Sequence, residues 1–294
     1  MRNRTHAVAR RLEAADRRAA AAVAVEDTAA ADTGRPIVML DGAYVRAAPG
    51  HRVRNFEVIC GKVEREGRSS RRFALVRSVA EQPHALLRAA LLDQGWREGG
   101  PVAAISDGDP ALPALVRSAA RAPVEPIIDW SHLSMRVRHV EQPLLGLAAP
   151  EPVHRGPLEH ARADVERLRH LLWNGKHEEA CRALDRIVGW LGKAASLDGA
   201  AVAAKAGRLA AHCTELRGYI GNDEGALIDY GRRHRDGQPI STSRAEGTVN
   251  HLVAARMNKR RQMRWSPRGA HRVPQVRAAV LDGRFGQQAI QLAA

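Results

Sequence analysis

Three short, largely apolar runs, each closed by an aspartate, constrain this chain most. Residues 36–40 (PIVML) end at Asp41-Gly42, 101–106 (PVAAIS) at Asp107-Gly108, and 124–128 (VEPII) at Asp129-Trp130. Apolar runs of about four to eight residues, bounded by turn signals, suit strands buried on both faces of a parallel sheet. Between them lie helical patterns. Residues 84–96 carry Leu86, Leu87, Ala90 and Leu91 on one face, and 111–121 form a second short helix. Residues 55–64 (NFEVICGKVE) and 72–79 (RFALVRSV) alternate as strands, with a turn near Glu66-Gly67. The order is strand, strand, strand, helix, strand, helix, strand, helix. That order predicts a mixed α/β sheet with helices on its faces. In such sheets functional groups gather beyond the carboxyl ends of the strands, where Asp41, Asp107 and Asp129 fall. Each Asp-Gly pair also reads as an ordinary turn dipeptide, so joint placement gives them weight.

The flanks divide the chain into four parts. Residues 1–34 read as one basic, Ala-rich surface helix (5–25) and a loose linker. Residues 35–149 hold the strands described above. Pro150, Pro152 and Pro157 mark a boundary, and 150–238 read as an all-helical insertion with helices over 158–173, 178–193 and 200–219. Residues 239–294 then return to complete the core.

The stretch 240–269 (ISTSRAEGTVNHLVAARMNKRRQMRWSPRG) opens with Ser243 three residues before Glu246, the spacing of a capping box. Val249, Leu252, Val253 and Met257 follow at helical spacing, with Glu246 roughly in line with that apolar face. A carboxylate there is costly unless a cation meets it. Glu246 therefore either caps its own helix or helps hold a metal ion. Lys259, Arg260, Arg261, Arg264 and Arg268 surround Trp265. This run either contacts phosphates or forms a solvated helix end. The tryptophan either stacks on a base or packs beneath the charges.

Composition narrows the partners. A formal net charge of +14 over 294 residues favours a polyanion, nucleic acid first and an anionic membrane surface second. Cys60, Cys181 and Cys213 are far apart in sequence, which excludes a zinc ribbon and a disulfide framework and fits a reducing cytoplasm. The Ala-rich run after Arg17-Arg18 is short and ends at Glu26-Asp27, so no signal peptide is expected. No apolar stretch approaches a membrane span. Trp130, Trp173 and Trp190 are expected in the core.

ISTSRAEG (240–247) with RMNKRRQMRWSPRGAH (256–271) resembles the C-terminal signature of bacterial insertion-sequence DDE transposases of the ISKra type. MLDGAYVR (39–46) resembles that family's first-Asp segment, AAISDGDPAL (103–112) its second, and IIDWSHLSMRVRHV (127–140) the helix that follows. Asp129 and His132 look like the Asp-x-x-His element shared with Mutator-like transposases. The likeness runs from about residue 36 to 286, and Ser131 departs from the aromatic residue common at that place. The resemblance implies an RNase H-like core interrupted by a helical insertion. It implies a catalytic, metal-binding triad of Asp41, Asp107 and Glu246 that holds two Mg²⁺ (or Mn²⁺), with Asp129 and His132 in support. Asp129 also ends a strand and competes with Asp107 for the second position.

The function so implied is metal-dependent cleavage and strand transfer of DNA by a homo-oligomer in the bacterial cytoplasm, associated with the nucleoid. Relatives carry a DNA-binding region ahead of the first strand, whereas only some 35 residues precede it here, so a shortened copy is expected. The rival readings are an inactive DNA-binding remnant and an RNase H-like nuclease acting on hybrids or junctions.

Overall fold

A computed structural model describes residues 2–22, 34–149, 152–197, 200–243, 247, 250–254, 257 and 263–285. The chain divides into two compact units, one of 1–126 with 242–294 and one of 127–241. The fold is mixed α/β, a five-stranded mixed sheet with flanking helices.

The strands are β1 (Ile37–Arg46), β2 (Asn55–Glu64), β3 (Arg71–Leu75), β4 (Val102–Ser106) and β5 (Val124–Ile128), in the order β3-β2-β1-β4-β5. β1 pairs antiparallel with β2 from Ile37↔Glu64 to Arg46↔Asn55, and β2 pairs antiparallel with β3. β1 pairs parallel with β4 through Ile37↔Ala103, Val38↔Ala104 and Met39↔Ile105.

β1 runs well past the Asp41-Gly42 at which the sequence suggests it should end. The reason is its partner: β2 continues alongside, so Asp41 faces Cys60 and Gly42 faces Ile59. The chain turns only at Pro49-Gly50, where Gly50 takes φ +86°. β3 is shorter than the alternation over 72–79 predicts. After Leu75 the backbone closes a turn in which Val79 N–H donates to Val76 O at 3.0 Å.

Alternation gives the sheet two apolar faces. Val38, Leu40, Ile59, Val63 and Leu75 pack under α2 (Pro83–Asp93) and α3 (Ala111–Ala120), with Leu87, Leu91, Leu112 and Val116. On the other face Val45, Val58, Cys60 and Ala74 meet Leu252, Val253 and Met257, together with Ala270 and Ala278 of α9 (Pro267–Leu281). Ser266 caps α9 by accepting from Gly269 N–H at 3.1 Å, with Pro267 at the first helical position, where its missing N–H costs nothing.

α1 (Arg2–Ala21) is more than a surface helix. Ala9 and Leu12 are buried, and α1 packs against α2 and α9. Polar contacts fix it in place. Arg71, nearly buried, meets Asp16 of α1 at 2.8 Å, Asp93 at the end of α2 at 3.3 Å and Asp282 just after α9 at 3.6 Å. Burial is the largest influence on the Asp16 and Asp282 carboxyls and raises both pKa values, against the pull of the arginines. Buried His271 of α9 accepts from Val76 N–H through Nδ1 at 3.1 Å, which leaves its ring proton on Nε2, facing Glu13 Oε1 at 3.4 Å.

The second unit is helical. It contains α4 (Trp130–Leu145), α5 (Pro152–Trp173), α6 (His177–Ala195), α7 (Ala200–Asn222) and α8 (Tyr230–Arg235). It begins earlier than the proline boundary suggests, because Leu133, Val137, Val140 and Leu144 of α4 are buried and α4 packs on α5 and α7. Leu158, Val165 and Leu172 of α5 and Leu184, Ile187 and Leu191 of α6 keep the spacing of a buried helical stripe. Arg186 of α6 clamps Asp164 of α5 with Nε at 3.1 Å and Nη2 at 2.7 Å. The tryptophans expected in the core are only half-buried. Trp130 meets Trp173 edge-on at 4.8 Å and Tyr230 at 5.0 Å, and Trp190 stacks on His160 at 4.5 Å.

Two tests follow from this packing. Phe73 lies across Gly61, its partner in the β2–β3 pairing, so a Cβ at Gly61 would collide with the ring. Gly61→Ala should lower stability by about 1–3 kcal/mol in urea denaturation. A neutral effect would mean the ring is not held there. Glu13 has a pKa below its ordinary 4.5, chiefly through the hydrogen bond from His271. A lowered carboxylate stabilises the fold above its unfolded pKa, and that stabilisation is lost as pH falls through the folded value. Glu13→Gln should cost about 1 kcal/mol at pH 7. The gap from wild type should close as pH drops below 4.5; a gap that persists at pH 3 would contradict the assignment.

Candidate functional site

The parallel pairing of β1 with β4 advances both strands in step, from Ile37↔Ala103 to Met39↔Ile105. Asp41 lies two residues past Met39 within β1, and Asp107 follows directly where β4 ends, so each of these paired strands soon reaches an aspartate, and both aspartates are half-buried. Asp41 shares its face with Ala43 and Val45, the face covered by Leu252, Val253 and Met257. Its neighbour across β2 is the buried Cys60, whose thiol is pushed up by burial and, secondarily, by the Asp41 charge. Cys60 is thereby held as the thiol and is no nucleophile.

Asp107 sits in a bend. Gly108 takes φ +100°, and Asp107 Oδ1 accepts from Asp109 N–H at 3.1 Å. Asp109 Oδ1 accepts in turn from Ala111 N–H at 2.9 Å and so opens α3. The turn expected of Asp107-Gly108 is present, and it carries its carboxylate to the strand end.

One acid here escaped the sequence reading. Glu57 of β2 faces Tyr44, and its carboxylate lies over Gly42, where a Cβ would strike it. Its pKa is raised, first by burial and then by the charges of Asp109 and Asp107, against the pull of Arg77. The only sequence sign was a glutamate in a strand, and its partner Tyr44 lies two positions beyond Gly42 on the same face. Glu57, Asp107 and Asp109 thus form an acidic rim near the end of β4, while Asp41 stands on the face of β1 opposite to Gly42. Among the described residues no three His, Cys, Asp or Glu side chains group closely enough to hold a metal ion.

Glu246 lies outside the described residues, as do Lys259, Arg260 and Arg261. What is described is the segment that follows Glu246. Leu252, Val253 and Met257 are buried on the Asp41 face of the sheet, as their helical spacing predicts.

Asp129 and His132 belong to the second unit. Asp129 is 4% exposed and caps α4, its Oδ1 accepting from Ser131 N–H at 2.7 Å. His132 is half-buried in the first turn of α4. Ser131, the departure from the family pattern, pairs its hydroxyl with that of Ser241 at 2.7 Å. Tyr230 O–H donates to Ile128 O at 2.9 Å behind them.

A cationic ridge lies on the first unit. Arg264 and Arg268 are exposed around the start of α9. Arg272, one turn on, has a lowered pKa, from burial first and then from the neighbouring charges of Arg10 and Arg268. Arg10 comes from α1 and is a contributor the sequence reading missed, since an Ala-rich helix gives no sign of what it packs beside. Trp265 packs half-buried against the sheet's second apolar cluster, its backbone N–H donating to Arg46 O at 2.9 Å.

Raised pKa at Glu57 has a stability consequence. A group raised in the folded state weighs against folding once pH exceeds its unfolded value of 4.5, and has no such effect well below it. Glu57→Gln should raise stability at pH 7 by a few tenths to about 1 kcal/mol. The gain should vanish by pH 3.5 in thermal melts; a loss of stability at neutral pH would contradict the crowding of charges.

Among the described residues no helix is long and apolar enough to cross a membrane. Comparison with known proteins finds no matching family, no matching curated protein and no matching solved structure.

Proposed function

We propose that this chain is the catalytic part of a DDE-type DNA transposase, a metal-dependent enzyme with an RNase H-like core that cuts and rejoins strands to move an insertion sequence. The observation that most supports the reading is the parallel β1–β4 pairing, since each of the two strands soon reaches an aspartate, Asp41 and Asp107. The strand order β3-β2-β1-β4-β5, with three antiparallel strands leading into a parallel crossover, is the order such a core requires. The resemblance of 240–247 and 256–271 to the family's C-terminal signature supplies Glu246 as the third acid. Leu252, Val253 and Met257, just downstream, are anchored on the face that bears Asp41.

The donors suit a hard divalent cation, which takes oxygen ligands and is commonly held by one or two carboxylates plus substrate oxygens. Asp41 and Asp107, with Glu246, would hold Mg²⁺ or Mn²⁺. When bound, the ions would supply activation of the attacking oxygen and stabilisation of the leaving one. The chain's own residues do the rest. Buried neighbours on both sides of β1 hold the strand that carries Asp41. Arg10, Arg264, Arg268 and Arg272 attract the phosphate backbone, with Lys259, Arg260 and Arg261 extending that charge. Asp107 fits the second acidic position better than Asp129, which is buried and occupied in capping α4. In this reading the resemblance gives Asp129 and His132 a supporting role. Two copies would act together on the two ends of the element.

Nicking of supercoiled plasmid DNA tests the proposal. With Mg²⁺ or Mn²⁺ the wild-type chain should convert it to open circles. Asp41→Asn, Asp107→Asn and Glu246→Gln should each slow this by at least about 100-fold. DNA affinity, measured by fluorescence anisotropy, should stay within about twofold, since phosphate contacts set it. No nicking by wild type, or undiminished nicking by Asp41→Asn, overturns the reading.

A further inference from the structure

A second charged site lies away from the acidic rim. A cavity of about 270 Å³ opens between the C-terminal end of α1, the first turn of α2 and the C-terminal end of α3. α3 begins beside Asp109 and spans 10 residues, about 15 Å, so this cavity sits at the opposite end of that helix from the rim. Arg17, Arg88, Arg121 and His84 line it, against one carboxylate, Glu98. Arg88 pairs with Glu98 and Arg17 with Glu81 beside the cavity, which leaves the guanidinium of Arg121 in surplus.

The arginines have different duties. Arg88 is structural. It is almost buried, donates to Ala20 O and Ala119 O at 3.2 Å each, and meets Glu98 at 2.9 Å. It ties the ends of α1 and α3 to α2 and forms the floor. Arg17 pairs with Glu81 at the surface, but Glu81 is exposed and in competition with water. Arg121 forms no ion pair among the described residues. It is also the one described residue other than glycine with a positive φ, at 50°. That position ends α3 in the left-handed conformation, where glycine is the unstrained choice. An arginine there carries a backbone cost and sets a free guanidinium at the cavity. The first turn of α2 faces the same space, and its N-cap residue Gln82 gives it no side-chain hydrogen bond.

We infer that this cavity binds a phosphate group. Forked guanidiniums converging from separate elements suit a compact, multiply charged oxyanion better than a single carboxylate or halide. The volume exceeds that of one phosphate and leaves room for the sugar of a nucleotide. The site does not depend on the proposed strand-cutting activity, and Asp41→Asn should leave it unchanged.

Calorimetric titration of the full chain with inorganic phosphate is the test. Wild type should show saturable binding. Arg121→Gly and Arg17→Gln should each weaken it on the order of tenfold or more. Arg121→Gly should also melt no earlier than wild type, because glycine relieves the left-handed backbone. That combination separates a lost ligand contact from a damaged fold. Absence of saturable binding, or unchanged affinity in Arg121→Gly, overturns the inference. Short oligonucleotides identify the source. Preference for a 5′-phosphorylated strand over its 5′-hydroxyl twin assigns a strand terminus, and equal binding of the two assigns an internal phosphodiester. Binding of inorganic phosphate alone assigns a small phosphate compound.

Discussion

The three residue pairs that join β1 to β4 hold the first unit together. They link segments 66 residues apart by a constant offset, Ile37 to Ala103 through Met39 to Ile105. Val38, Met39, Leu40, Ala103, Ala104 and Ile105 are all fully buried. Burial on both faces makes the register hard to slip. A shift by one residue would turn Val38 and Leu40 away from the α2–α3 side and swing Asp41 onto it. The antiparallel pairing of β1 with β2 is a second check, because ten matched pairs must move together. Closing a loop of this length costs chain entropy that grows only logarithmically with length, so burial of these six side chains readily offsets it. The position of the acidic rim follows from this pairing.

Much of this was legible in the residues. The run 124–128 is β5 to the residue, and Ala111–Ala120 departs from the expected helix by one position. Short apolar runs between helical patterns, each bounded by turn signals, read as buried strands because length and flanking residues agree. The misreadings share one cause, a partner distant in sequence. Asp41-Gly42 has the chemistry of a turn, yet β2 holds it in a ladder, so tertiary pairing overrides local preference. Glu57 looks like an ordinary outward residue of an alternating strand, and only the absence of a side chain at Gly42 brings its carboxylate inward. Arg10 gains its meaning from α9, which lies over 250 residues away. The positive φ at Arg121 had no cue, since glycine or asparagine would be the expected sign.

Charge is sorted within the first unit. Buried carboxylates near α1 share Arg71 and Arg72, so Asp16 and Asp282 are met by cations although burial dominates their pKa values. The rim is different. Glu57 has Arg77 nearby, yet the combined effect of burial, Asp107 and Asp109 still raises its pKa. Asp16 and Asp282 are met by guanidiniums, whereas at Glu57 the neighbouring acids add to burial. Such crowding costs stability, and folds tend to carry that cost at functional sites.

The same sorting bears on how a DNA strand would approach under the proposed function. Attraction to Arg10, Arg264, Arg268 and Arg272 is screened over a Debye length of about 8 Å at physiological salt. It can gather a duplex onto the ridge without resolving where the scissile phosphate sits. At the rim the strand meets carboxylates of its own sign, and at contact distance in a partly buried setting this repulsion is screened least. The ridge alone would hold DNA close to the aspartates but not against them. Final approach then requires positive charge at the rim itself, to which Arg77, near Glu57, contributes. Under the proposed function binding and cleavage would therefore separate: salt would weaken the first through the arginines, while the second would answer to divalent ions held by the aspartates.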